Sequence, residues 1–151
     1  MERMTGQKPV WKAFKLATFF IGDECFGIDI SKIQEITKVA QMTPVPLAQP
    51  YVKGVLNMRG QVVTIIDAAS KLGIPSMEGE IQKRNIIVKS KGEYIGLMVE
   101  QIGDVIQTDG DIIEKAPTGG SSEIGNFIVG ILKAEDRLIA ILDVDELLKE
   151  E

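Results

Sequence analysis

Two runs in which apolar and polar residues alternate, 14–22 and 25–30, flank the dipeptide Asp23-Glu24 near the start of the chain. Alternation with period two buries one face of a strand, and a polar dipeptide between two such runs turns a hairpin. Ser31 stands where it would cap one helical turn over 32–35. Thr43-Pro44-Val45-Pro46 and Gln49-Pro50 then hold the chain extended, because each proline lacks an N–H and biases its predecessor away from helix. Val52–Met58 and Gln61–Asp67 form a second hairpin through Arg59-Gly60, and Ala68–Leu72 reads as a short helix closed by Gly73. Further on, the pattern predicts strands over 85–89, 94–99, 105–108, 127–133 and 138–142. A helix over 143–150 follows, capped by Asp143 and docked through Leu147 and Leu148.

The second half restates the first. YVKGVLNMRGQVVTIIDAASKLG (51–73) and FIVGILKAEDRLIAILDVDELLK (127–149) coincide at an offset of 76 in Gly54/Gly130, Leu56/Leu132, Ile65/Ile141, Asp67/Asp143 and Leu72/Leu148. Upstream, ATFFIGDECFGIDISKIQEI (17–36) echoes IIVKSKGEYIGLMVEQIGDV (86–105) at an offset of 69, through Glu24/Glu93, Gly27/Gly96 and Ile33/Ile102. Five identities in 23 ungapped positions, with the apolar phase kept between them, point to an internal duplication. The offsets differ by seven, so the second half carries a longer insert, and the glycine-rich stretch 118–125 is its natural place.

Many short strands with turns at regular spacing favour small barrels over βαβ units. The expected fold is therefore mainly β: two related barrels sharing one core, with short helices including a C-terminal one. The first spans 14–67 completed by 143–151, the second spans 68–142, and residues 1–13 form a flexible tail.

Composition narrows the chemistry. Among 151 residues there is no histidine, and Cys25 is the only cysteine. That excludes Ser-His and Cys-His nucleophile pairs, histidine-ligated metals, an internal disulfide and a CxxC redox pair. The net charge is −5 and Lys83-Arg84 is the only adjacent basic pair, which argues against phosphate-driven nucleic-acid binding. No apolar run approaches the roughly 20 residues that span a bilayer, and residues 1–10 have no hydrophobic signal core, so a cytoplasmic protein is expected.

Candidate sites mostly reduce to structure. Asp67 and Asp143 end equivalent strands before equivalent helices and are expected to be the same N-cap twice. Asp104, Asp109, Asp111 and Glu114 miss the spacing of a calcium loop and read as solvated loop. Cys25 sits in an alternating strand as a small hydrophobe. Thr118-Gly119-Gly120-Ser121-Ser122 lacks the Gly-Lys-Ser/Thr of a phosphate loop. Asn57-Met58-Arg59-Gly60 is different, because its duplicate reads Lys133-Ala134-Glu135-Asp136 and makes a turn with neither Arg nor Gly. An arginine on a rigid hairpin tip suits bidentate capture of a partner's carboxylate or carbonyl groups. One class of alternative is a small β-barrel that binds nucleic acid or a small ligand, but the chain is acidic and only 5% aromatic.

GDECFGIDISKIQEI (22–36), MTPVPLAQPYVKGVLNMRG (42–60), IGLMVEQIGDVI (95–106) and VGILKAEDRLIAILDVDELL (129–148) together, in order, resemble the CheW family of chemotaxis coupling proteins. The resemblance runs from about Phe14 to Leu148. It implies two SH3-like five-stranded β-subdomains and an adaptor without catalytic activity or cofactor. The implied partners are the cytoplasmic hairpin tips of methyl-accepting chemoreceptors and the regulatory domain of the histidine kinase CheA, met in membrane-associated arrays without membrane insertion. Carried over singly, Ile33 would offer apolar contact and Glu35 a charge for a basic group. Gly54 would let a partner backbone approach, and Arg59 would anchor the contact, with Asn57 and Gly60 shaping its turn. Val55 and Met58 lie within the same motifs, Met58 replacing the family's usual Leu. Thr64 and Ala68-Ala69-Ser70 depart from the family's Pro and Leu-Arg-Lys.

Overall fold

The computed structural model describes residues 14–76, 82–108, 113–114, 123–134 and 137–149. The expected tail and the stretch 118–122 lie outside these residues. In chain order come β1 (Phe14–Ile21), β2 (Glu24–Asp29), β3 (Ile33–Lys38), β4 (Val52–Met58), β5 (Gln61–Asp67) and α1 (Ala68–Leu72). Then follow β6 (Arg84–Ser90), β7 (Glu93–Val99), β8 (Gln101–Thr108), β9 (Ile113–Glu114), β10 (Ile128–Ala134), β11 (Arg137–Leu142) and α2 (Val144–Leu147).

The expected helical turn over 32–35 is corrected. Asp29, not Ser31, is the cap, its side chain accepting from the Ser31 N–H at 3.0 Å, and the 3-10 turn it starts covers only Ile30–Lys32. From Ile33 the chain is strand, because half-buried Ile33, Glu35 and Thr37 alternate with exposed neighbours against β6. The two aspartate caps also differ. Asp143 accepts from the Glu146 N–H at 3.2 Å, whereas Asp67 occupies the same position without a side-chain cap bond. Asp104 lies on β8 and Glu114 on β9 rather than in a loop.

The strands form two sheets ordered β8-β1-β2-β11-β10-β9 and β3-β6-β7-β5-β4. Apart from the two-residue β9, the duplication maps one onto the other strand for strand. The registers agree. Ile139, Ala140 and Ile141 pair in parallel with Cys25, Phe26 and Gly27, and the equivalent Thr64 and Ile65 pair with Ile95 and Gly96. Ala17 faces Val105 as Ile86 faces Ile36, and the same register shift follows in each case. Even the lone bridge Thr43–Val55 has its counterpart in Glu114–Ile131. Each sheet nevertheless draws on both sequence copies, because the hairpins β1–β2 and β6–β7 are exchanged: β1–β2 of the first half lies between β8 and β11, and β6–β7 of the second lies between β3 and β5.

One core joins the units. Phe19, Ile28, Ile66 and Leu72 of the first half pack with Val88, Leu97, Leu142 and Leu148 of the second. The opposite face of each sheet closes on a small cluster of its own: Leu16, Cys25, Leu132, Ile139 and Ile141 in one unit, Val63, Ile65, Ile87 and Met98 in the other. The chain is thus mainly β, with two related five-stranded units, a shared core and a helix near its end, as expected.

Candidate functional site

Arg59-Gly60 alone joins β4 to β5, with Met58 pairing to Gln61 across the loop. Two-residue hairpin loops that follow the strand twist take positive φ at both positions. Gly60 adopts 83° freely, whereas Arg59 sits at 52°, a region that costs an L-residue roughly 1–2 kcal/mol. The Asn57 Oδ1 steadies the turn by accepting from the Gly60 N–H at 3.0 Å. Lys91-Gly92 closes β6–β7 with the same signs of φ, so the turn alone marks nothing.

What sets Arg59 apart is its side chain. Its Nη2 donates to the Glu35 Oε1 on β3, making an ion pair between strands from opposite edges of the sheet. Arg59 stays 75% exposed and Glu35 29%. An exposed pair contributes about 0–1 kcal/mol, so this one does little for stability and instead fixes where the guanidinium stands. Glu35 is aimed by the register shift in β3 between Ile33 and Glu35, the kind of irregularity that redirects a side chain. Beneath the pair lies a cleft of about 280 Å³ lined by Gln34, Glu35, Met58, Arg59, Gln61, Val63, Ile87 and Tyr94. Val63 and Ile87 are buried, so its floor is apolar.

The duplication carries these eight positions to Gly103, Asp104, Ala134, Glu135, Arg137, Ile139, Thr18 and Cys25. All but Glu135, which lies outside the described residues, line a cleft of about 660 Å³ at the end of the other unit. It is roomier because Gly103, Ala134, Thr18 and Cys25 replace larger side chains. Its chemistry differs too. Thr18 Oγ1 donates to the Asp104 backbone oxygen at 2.5 Å, and the Arg137 guanidinium lies 5.2 Å from the Phe20 ring centre. Burial pushes the Cys25 thiol pKa up, and the hydrogen bond and charge of Arg137 offset this in part. Cys25 is buried and free, the small hydrophobe its strand predicts.

Of the residues singled out in the sequence, Glu35, Met58 and Arg59 meet at the first cleft, with Asn57 and Gly60 holding its turn. Three others do not join them. Ile33 is half-buried against the shared core. Val55 lines a separate groove with Val45, Tyr51 and Ile95. Gly54 is buried at φ 153°, and a Cβ there would stand 2.7 Å from the Thr43 carbonyl oxygen. The backbone that approaches Gly54 is therefore the chain's own, held by Thr43–Val55 hydrogen bonds of 2.9 and 2.8 Å. Glu35, expected to offer its charge outward, is engaged by Arg59. Gln34, Gln61 and Tyr94 were not anticipated at the cleft. The alternation of 33–38, read as strand, would have shown Glu35 on the half-buried face, but not that this face meets the hairpin. Among the described residues no group of three or more acidic or thiol side chains converges as a metal site. No helix there is long and apolar enough to cross a membrane.

The CheW-like domain family matches residues 15–151. Chemotaxis protein CheW of Rhizobium meliloti (strain 1021) is 31% identical over 91% of this chain and 88% of its own length. Chemotaxis protein CheW of Bacillus subtilis (strain 168) is 32% identical over the same shares. Among solved structures, the scaffolding protein TtCheW from Thermoanaerobacter tengcongensis superposes with a TM-score of 0.84. It is 29% identical, and the match covers 91% of this chain and 94% of that one.

Proposed function

The chain belongs to the CheW family, and on that premise we propose that this chemotaxis adaptor couples the cytoplasmic tips of chemoreceptors to the regulatory domain of the histidine kinase CheA, without catalysis of its own. It would work in the cytoplasm, recruited to receptor arrays at the membrane. The observation that carries this reading is the Arg59–Glu35 pair. A guanidinium stands on a strained hairpin tip, held there by a carboxylate 24 residues away, at the rim of a cleft with an apolar floor. Such a rim suits a protein surface that brings an acceptor to Arg59 and an apolar side chain to the cleft. In this reading Arg59 is the anchor, Glu35 positions it, and Met58 adds apolar rim. Asn57 and Gly60 keep the turn, while Ile33, Gly54 and Val55 contribute by holding β3 and β4 in place.

Reversing the charge with Arg59→Glu tests it. Since the pair is exposed, Tm should move by no more than about 3 °C. Affinity for the kinase regulatory domain or a receptor-tip fragment, measured by calorimetry, should fall at least about tenfold. Undiminished binding to both partners would remove this turn from the interface. Saturable binding of a single-stranded oligonucleotide at low salt would favour the ligand-binding alternative instead.

A further inference from the structure

Asn85 is fully buried, and neither its Oδ1 nor its Nδ2 has a hydrogen-bond partner among the described residues. It pairs with Thr37 of β3 and Met98 of β7. Alternation along β6 fixes the face it shares. Ile86 and Val88 join the core common to both units, whereas Ile87 joins the cluster inside the Arg59-bearing unit with Val63, Ile65 and Met98. Asn85 stands on the Ile87 face. The duplication agrees, because its counterpart at offset 69 is Leu16, a member of the equivalent cluster in the other unit. At this one place an amide in one interior replaces an isobutyl group in the other.

An amide with both ends unpaired in an apolar interior is unfavourable, and buried polar groups without a protein partner are ordinarily met by ordered water. The cleft under Arg59 is lined by Ile87, two residues from Asn85 on the same face. We propose that the interior of the Arg59-bearing unit holds an ordered water on the Asn85 amide, for which Leu16 at the twin position offers no partner. The inference is independent of the partner reading above.

The test uses the full isotope-labelled chain. In the native protein the Asn85 side-chain NH2 should give NOE and ROE cross-peaks of opposite sign to water, the signature of a long-lived contact rather than proton exchange. Asn85→Leu, the solution of the twin, should abolish the buried polar site and leave Tm equal or somewhat higher. Asn85→Val, smaller and free of overpacking, should do the same. Absence of the water contact in the native protein overturns the proposal.

Discussion

The two clefts occupy equivalent places in equivalent units, yet they share almost no chemistry. Where duplicated positions face the common core they stay apolar: Ile66 with Leu142, Leu72 with Leu148 and Ile28 with Leu97 are near-synonymous, and even Phe19 with Val88 and Ala68 with Val144 change size but not character. At the unit ends they diverge, with Tyr94 against Cys25, Ile87 against Thr18 and Met58 against Ala134. The shared core must stay apolar and close-packed as a whole, so a change of size at one place is met by its neighbours. A cleft open to solvent carries no such constraint, so one end of the molecule became an arginine held by a carboxylate and the other a wider pocket with a buried thiol.

That contrast can be broken where the units are said to be alike. Leu72→Ala and Leu148→Ala each empty an equivalent place in one core, and each should cost about 2–5 kcal/mol in chemical denaturation. A near-neutral result for either would mean that the core is not common to both halves. A smaller effect sharpens a difference. Asp143→Ala should cost about 1 kcal/mol, since its carboxylate caps α2, whereas Asp67→Ala should stay within about 0.5 kcal/mol because that side chain caps nothing. Equal losses would contradict this division.

The smallest effect concerns the thiol. Folding raises the Cys25 pKa, so the folded state holds the proton more tightly than the unfolded one. Its contribution to stability is fully present below the unfolded thiol's pKa and is lost as pH rises through the folded value. Thermal midpoints should therefore decline more steeply at alkaline pH in the native protein than in Cys25→Ala. Parallel declines would show that burial does not perturb the thiol.

Much of this was legible in the sequence, for reasons that also explain what was not. The β4–β5 hairpin and the Gly73 stop follow from local chemistry, and the duplication was visible because identical residues recur at fixed offsets. β3 was mistaken for a helical turn, since its Gln, Glu and Lys are good helix formers and only pairing with β6 makes it a strand. Alternation says which face of a strand is buried but never which strand lies beside it, so the exchange of the β1–β2 and β6–β7 hairpins left no trace. The Arg59–Glu35 contact was hidden for the same reason: both residues were singled out, but their meeting depends on how the sheet brings its two edges together. Gly54 was noticed for room for a close approach, and the backbone that comes close to it in the fold is that of Thr43.

The exchange of the β1–β2 and β6–β7 hairpins also sets a timetable for the chain as it leaves the ribosome. Every strand of the sheet that bears Arg59 has been synthesised by Val99, so that sheet can close while the C-terminal third is still being made. The other sheet contains the first hairpin, β1–β2, but needs β11, which ends at Leu142. The earliest hairpin therefore waits longest, its edge unpaired until the parallel partner arrives from the far end of the chain. Open edges of that kind invite pairing with other chains, and sequence-distant pairing slows folding. Any truncation before β11 would leave the β2 edge without its parallel neighbour, even though every strand of the Arg59-bearing sheet was present.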